Sequence, residues 1–230
     1  MIGRENESTR QAWLKDRLSN LPNGLRVLDA GAGELRNKPL CAHLQYVSQD
    51  YCQYEGQGDG VGLQTGSWNT AKIDLVCDVA AIPEPSSSFD AILCSEVFEH
   101  LPDPIPALRE FSRLLRPSGK LLITAPFCSL THFAPYHYAS GFNRYWYEKH
   151  LGDLGFSIVE MTPNGDWFSY IAQELWRIKA VGRRYSNPAL GWLGVAASTP
   201  LIAILSALSR LDRGSSELLC YGWHVIAEKL

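Results

Sequence analysis

Arg26-Val27-Leu28-Asp29-Ala30-Gly31-Ala32-Gly33-Glu34 is the most informative segment of the chain. An apolar run carries one acid and then breaks into two glycines two apart. The run reads as a strand and the glycines as the turn after it, where backbone without a Cβ passes close to a ligand. In an open α/β sheet, ligands bind outside the carboxyl ends of the strands, which is where such a turn sits. Alone, the pattern fits both a cofactor loop and a plain βα turn. The surrounding chain has to supply the partners that a cofactor loop needs.

Upstream, Ala12, Leu14 and Leu18 among charges give an amphipathic helix over 5–20, stopped by the turn cluster Asn20-Leu21-Pro22-Asn23-Gly24. The first strand is 25–30. A weak helix follows over 38–43, then a second strand over 44–49 ending on Asp50. Glycines at 56, 58, 60, 62 and 66 make a loop. A third strand over 72–79 carries Asp78, and 89–95 is a continuous apolar strand of the buried kind. Ala107, Leu108, Phe111, Leu114 and Leu115 space as one buried helix face. Arg116-Pro117-Ser118-Gly119 stops that helix, and 120–125 is a fifth strand. A helix over 145–154 leads to a sixth strand at 156–161, and the last strand is 223–227. Strands alternating with helices imply a mostly parallel sheet covered on both faces, with the sixth and seventh strands at one edge.

Three acids stand at successive strand ends: Asp29, Asp50 and Asp78. In a parallel sheet they share one edge. An acid about 20 residues beyond the glycine turn is placed to accept hydrogen bonds from two ribose hydroxyls. Helix capping is the alternative for any one of them; three in register favour a nucleoside cofactor.

At this point the chain resembles a class I S-adenosylmethionine-dependent methyltransferase with a type 11-like methyltransferase domain. The resemblance covers about residues 24–162 and the final strand. It is carried by Val27-Leu28-Asp29-Ala30-Gly31-Ala32-Gly33, Asp50, Cys77-Asp78-Val79, the run from Ser88 to Leu101, and Leu114-Leu115-Arg116-Pro117-Ser118-Gly119-Lys120-Leu121-Leu122-Ile123. It implies an α/β, Rossmann-like, seven-stranded mostly parallel sheet with an antiparallel last strand and helices on both faces. It implies S-adenosyl-L-methionine as cofactor, bound by Asp29, Gly31, Gly33, Asp50, Tyr51, Asp78, Val79, Ser95 and Glu96. In that scheme Gly31 and Gly33 approach the methionine and ribose part, Asp50 holds the ribose diol, Asp78 and Val79 border the adenine, and Ser95 lies beneath the cofactor. Leu35 departs from the pattern, because many members carry a third glycine there. Arg36 stands at the third glycine of the nicotinamide-enzyme pattern, which argues against a dehydrogenase.

Methyl transfer from a sulfonium needs in-line alignment and removal of the nucleophile's proton. His100 follows strand four, and His132 and His137 follow strand five, so these are the candidate catalytic bases. For each, a loop histidine satisfied by backbone is the alternative. Glu96-x-x-Glu99-His100 is similar to the metal-binding stretch of small-RNA 2′-O-methyltransferases, where a further histidine (here His132 or His137) completes the set. The same string occurs in metal-independent members, and no metal is assigned. Among the aromatics after the candidate bases, Tyr136 and Tyr138 suit a substrate pocket. Trp146 and its helical neighbours suit core packing.

A formal charge of −3, with no Lys/Arg block, favours no nucleic acid partner. The six cysteines stand singly, with no Cys-x-x-Cys pair. Reduced thiols and a polar N-terminus without a signal peptide suggest a cytoplasmic protein. Residues 163–215 read as a helical insertion between strands six and seven, inside a single domain spanning 1–230. A helix over 167–184 opens the insertion. Residues 189–209 carry no charge, a length that raises a membrane span. The last strand must return to the sheet, which argues against a single crossing, and Pro200 with Gly191 and Gly194 suggests two short helices. Packing on the domain or a partner chain (a homodimer included), peripheral contact with a membrane or lipid, and a re-entrant hairpin all stay open for this segment. The expected function is O-methylation of a small-molecule, glycan or lipid-linked acceptor. The rivals are a metal-using RNA 2′-O-methyltransferase and a cofactor-binding partner subunit without activity.

Overall fold

β1, Arg26–Ala30, lies in the middle of a seven-stranded sheet ordered β3-β2-β1-β4-β5-β7-β6. The computed structural model describes residues 1–230. β1 pairs in parallel with β2 (Gln45–Asp50) on one side and β4 (Phe89–Ser95) on the other. β3 (Leu75–Val76) extends the sheet beyond β2, and β5 (Leu115–Pro126) beyond β4, both in parallel. β7 (Gly222–Lys229) runs antiparallel to β5, and β6 (Phe156–Asn164) closes that edge. The architecture is the expected α/β, Rossmann-like, mostly parallel sheet with an antiparallel last strand and helices around it. The chain turns back from the β3 side to the β5 side between β1 and β4. That switch point is where ligands sit in open α/β sheets.

Parity along the strands sorts the core. Val27, Ala91, Leu93, Leu122 and Ile226 share one face with Leu14 and Leu18 of α1 (Asn6–Ser19). By the two-residue period, Leu28, Ile92, Leu121 and Ile123 turn to the opposite face, and all four are fully buried. α2 (Ile105–Leu114) buries Leu108, Phe111 and Leu114. Each such side chain contributes roughly 1.5–3 kcal/mol of burial free energy. α3 (Arg144–Asp153) is capped by Asn143, whose side chain accepts from the Trp146 N–H. Tyr147 and Leu151 are its buried residues, while Trp146 packs on Phe98 and Phe142, as expected for core aromatics.

Several boundaries move. The third strand is only Leu75–Val76, not 72–79. Asp74 is committed elsewhere: its carboxylate accepts from both the backbone N–H and the hydroxyl of Ser48, at 2.9 and 2.6 Å. The weak helix at 38–43 is a single 3-10 turn, Lys38–Cys41. β5 starts five residues early, at Leu115. The expected stop after α2 passes straight into the sheet, with a shift of register between Phe89 and Ala91.

The chain divides into two compact units. One comprises Ala12–Thr162 with Gly222–Leu230 and holds most of the sheet; the other comprises Met1–Gln11 with Pro163–Tyr221. In the second, α4 (Trp167–Tyr185) starts on a capping box between Asp166 and Ser169. α5 is one helix, Pro188–Arg210, with Pro200 inside it, so neither two short helices nor a re-entrant hairpin forms. Pro200 supplies no N–H to the ladder. In the turn before it, the hydroxyls of Ser198 and Thr199 bond back to the carbonyls of Gly194 and Val195. Ile202 and Leu205 of α5 pack with Ala172, Phe168 and Leu175 of α4.

Candidate active site

The turn after β1 is held to the end of β2. Gly31 and Ala32 donate their N–H groups to the Gln49 carbonyl, both at 2.9 Å. Gly33 donates to Asp50 Oδ2 at 2.9 Å, and Cys52 donates to Asp50 Oδ1 at 2.8 Å. Each carboxylate oxygen thus keeps a free lone pair for a diol. Gly31 has φ +74°, and a Cβ there would stand 2.4 Å from Val97 Cγ2. Glycine is therefore required by a close approach of the β1 turn to the segment after β4. Leu35 has φ +61°. The position where relatives carry a third glycine still has a glycine-like backbone, and here a leucine adopts it.

An open cavity of ≈ 370 Å³ lies at this edge, and Gly31, Gly33, Asp50, Tyr51, Asp78, Val79 and Glu96 line it. Two of the expected residues lie outside this lining. Asp29 is 1% exposed and does not line the cavity. It shares parity with Val27, so its side chain turns under the sheet, where Tyr46 Oη donates to it at 2.6 Å. Burial, first of all, pushes its carboxyl up to about 6. Asp29 supports the loop from below. Ser95 also lies outside the lining, because its hydroxyl pairs with Thr124 Oγ1 across to β5 at 2.8 Å. Glu96, the next residue, enters the cavity with φ +56°. Strained backbone of this kind gathers at functional sites.

The opposite wall is the segment after β5. The Tyr138 N–H donates to the Glu99 carbonyl at 2.8 Å, tying this segment to the turn after β4. Of the three candidate bases, His100 lines the cavity; His132 and His137 do not. They stand behind it, with ring centroids 4.7 and 6.0 Å from that of His100. His137 Nε2 is 3.2 Å from the Ser129 hydroxyl. His100 Nδ1 is 2.5 Å from the Tyr136 carbonyl, and His132 Nδ1 is 2.8 Å from the Leu130 carbonyl. A carbonyl only accepts, so each Nδ1 carries a proton, which leaves Nε2 as the nitrogen facing Glu99 in each ring. Both Nε2 atoms approach Glu99 Oε1, at 3.8 and 3.9 Å. Glu99 is fully buried. Burial, reinforced by His132, lowers His100 to about 3, so His100 is neutral at physiological pH. Burial also lowers His137. At these distances and with His100 neutral, the Glu99–His100 contact is not an ion pair.

Glu99, His100 and His132 offer ligand atoms all within 4.8 Å of one another. Two imidazole lone pairs and a carboxylate oxygen are a donor set suited to a divalent cation, with each ring oriented by a backbone carbonyl on its far side. Glu96 of the same motif lines the cavity and stands outside that group.

The sequence reading missed one whole side of the cavity. The glycine-rich stretch is more than a connector: Leu63 forms a β-bridge with His132, the Leu63 N–H donates to the Thr131 carbonyl at 2.9 Å, and the Phe133 N–H donates to the Leu63 carbonyl at 3.0 Å. A Cβ on Gly62 would stand 2.5 Å from that Thr131 oxygen, so only glycine fits the crossing. Tyr54 stacks on Phe133 at 4.3 Å, Trp68 meets the same ring edge-on at 5.1 Å, and Phe133 stacks on His100 at 5.1 Å. Tyr54, Trp68, Phe133, Tyr136 and Tyr138 all line the cavity. The signal available in the sequence was the run of alternate glycines between two aromatics.

Residues 4–188 match the family model described as a methyltransferase domain. The chain belongs to that family. It is a class I S-adenosylmethionine-dependent methyltransferase. The ubiquinone biosynthesis O-methyltransferase of Xanthomonas axonopodis pv. citri is 35% identical over 106 residues, covering 45% of this chain and 44% of that protein. The chain therefore spans less than half the length of this relative. Among solved structures, phosphoethanolamine N-methyltransferase 2 of Haemonchus contortus with S-adenosyl-L-methionine aligns over 96% of this chain and 52% of that one, at TM-score 0.54 and 19% identity. A geranyl diphosphate methyltransferase with GPP and sinefungin aligns over 97% and 78%, at TM-score 0.56 and 14% identity. At such identities the structural likeness speaks for the fold alone.

Proposed function

We propose that this methyltransferase O-methylates a small-molecule, glycan or lipid-linked acceptor whose hydroxyl lies at His100. The observation that carries this reading is one continuous cavity. Gly33, Asp50, Asp78 and Val79 line its β1–β3 side, and His100 with the aromatic wall of Tyr54, Phe133, Tyr136 and Tyr138 lines the other. A module that only bound the cofactor would need no second, aromatic compartment with an oriented imidazole. The O-methyltransferase name of the Xanthomonas relative supports oxygen as the acceptor atom. The absence of a basic block in a chain of charge −3 speaks against RNA.

In this reading the cofactor supplies an electrophilic methyl group, and Asp50 accepts from the ribose diol while Asp78 and Val79 border the adenine. His100 keeps its proton on Nδ1 against Tyr136, so Nε2 is the atom left to accept a hydrogen bond and then the proton of the attacking hydroxyl, although burial makes this ring a weaker base than a free imidazole. Glu99 then faces the imidazolium as its charge develops. A second reading is favoured by the proximity of His100 Nε2, His132 Nε2 and Glu99 Oε1: these three would hold a divalent cation, which would supply Lewis-acid activation of the acceptor hydroxyl.

The test is incubation with methyl-labelled S-adenosylmethionine and fractionated cell extract. The expected result is label in a non-RNA, hydroxyl-bearing fraction, as an ether stable to base. Label confined to RNA, or bound cofactor with no transfer to any fraction, would overturn the reading. Excess EDTA separates the two mechanisms, since it abolishes transfer only where a cation is required.

A further inference from the structure

α5 is built inside out for a water-facing helix. Its inner side carries Gly191, Gly194 and Ser198 beside Ile202 and Leu205. Its outer side carries Leu190, Leu193, Leu201, Ile204 and Leu208, each between 41% and 64% exposed. These positions step by three or four residues or their sums, so they form one stripe along a helix about 34 Å long. The most apolar 18 residues of the helix have a mean hydropathy of 1.7, and only 17% of them are buried, unlike a core helix. Small residues set the crossing with α4: a Cβ on Gly182 would lie 2.9 Å from Gly191 Cα, and one on Gly194 would lie 2.8 Å from Ile178 Cγ2. Small residues inside and large apolar ones outside are the packing of helices in lipid, where the outer face needs no water.

Charge names the occupant. No acid occurs between Glu174 and Asp212, while Arg177, Lys179, Arg183, Arg184 and Arg210 all fall there. Arg183 and Arg184 at one end of the stripe and Arg210 at the other are exposed. Trp192, 60% exposed, lies under the Lys179 ammonium at 3.6 Å, and Tyr185 is 64% exposed beside the Arg pair. Aromatic rings with polar edges next to cations are the composition of a membrane interface.

We infer that the outer face of α5 seats in the plane of an anionic lipid surface. In-plane seating follows from the hairpin. Ser209 at the end of α5 donates to Asp166 at the start of α4, at 2.5 Å, so the two helices run side by side. Were α5 to cross the bilayer, α4 would be carried through with Glu174, Arg177 and Lys179, which its charge forbids. With α5 in the interface, its apolar stripe enters the acyl boundary, and the arginines at both ends meet lipid phosphates.

The experiment is co-sedimentation of the full chain with extruded vesicles of phosphatidylcholine alone or mixed with phosphatidylglycerol. The expected result is pelleting with the mixed vesicles, weakened by salt, and reduced on the order of tenfold in the double variant Leu193→Glu/Ile204→Glu. Arg183→Gln/Arg184→Gln should lose the salt-sensitive part and keep the rest. Because all four positions are exposed, circular dichroism and S-adenosylmethionine affinity should match wild type in both variants. A chain that stays in the supernatant overturns the inference, as does pelleting unchanged by the Leu193/Ile204 variant. If that variant instead turns a vesicle-independent dimer into a monomer, the stripe is an interface between two copies and the lipid assignment is wrong.

Discussion

His100 Nε2 stands 3.8 Å from Oε1 of the fully buried Glu99, while Nδ1 on the other side of the ring is fixed by the Tyr136 carbonyl. The imidazole is thereby held in one tautomer, with its lone pair on Nε2, the ring nitrogen nearest Glu99. Glu99→Gln keeps the shape and removes the carboxyl that faces the developing imidazolium, or a bound cation. Transfer should fall roughly 10- to 100-fold, the value of one charged partner, with cofactor affinity unchanged. Single-turnover transfer set beside calorimetry checks this; equal rates for the two proteins would remove Glu99 from the mechanism.

Asp50 binds the Gly33 and Cys52 N–H groups and faces the cavity. Asp50→Ala should abolish measurable cofactor binding, because it removes the diol acceptor and frees the glycine turn at once. Asp50→Asn keeps one acceptor oxygen and should weaken binding by about tenfold or more. Titration calorimetry decides, and unchanged affinity in the alanine variant would show the ribose lies elsewhere. The fold should survive, since the β1–β2 ladder does not use this side chain.

Asp29 gives a pH signature. Its folded carboxyl titrates at about 6 against an ordinary value of 3.8, so the folded state holds the proton longer than the unfolded chain. Its contribution is present below pH 4 and is lost as pH rises towards 6, a loss of about 3 kcal/mol at neutral pH. Asp29→Asn has no carboxyl to ionise and still offers Tyr46 an oxygen. The unfolding free energy of the variant minus that of wild type should therefore rise by about 2–3 kcal/mol between pH 4 and pH 7. Urea melts across that range measure it. A difference that stays flat would mean Asp29 ionises as freely folded as unfolded.

Gly62 tests the wall that the sequence did not reveal. Gly62→Ala places a Cβ against the Thr131 oxygen on a backbone with φ +65°, at a cost of roughly 1–3 kcal/mol to the crossing. Amide exchange at Leu63 and Phe133, whose N–H groups make the crossing bonds, should speed up while the β1 and β4 amides stay protected. Unaltered exchange at both would mean the wall does not depend on this glycine.

What the sequence disclosed follows from which forces are local. Strand β4 has the same bounds in sequence and structure because a continuous apolar run admits one buried strand. The Asp50–Gly33 pairing was foreseeable, since Asp50 closes β2 and Gly33 lies just past the end of its parallel neighbour β1. The face that Asp29 takes was not legible from its place next to the glycine turn; parity with Val27 decides it, and its side chain meets Tyr46. β3 was overdrawn because Asp74 caps Ser48 from a distance of 26 residues, which no local window contains. The glycine-rich stretch looked like a connector because its partners, Thr131 and Ala134, lie after β5. α5 looked broken at Pro200 because the rule that proline ends helices takes no account of tertiary packing: the turn after it buries Ile202 and Leu205 against α4.

In the proposed function one cavity takes the methyl donor at its Asp50 side and the acceptor hydroxyl at His100. The most direct measurement is His100→Asn, assayed for S-adenosylmethionine affinity by calorimetry and for labelled methyl transfer to the acceptor fraction. The account predicts unchanged cofactor affinity with transfer reduced about 10²-fold or more, the range for a lost proton acceptor. Transfer at the wild-type rate, or affinity lost together with transfer, would contradict it.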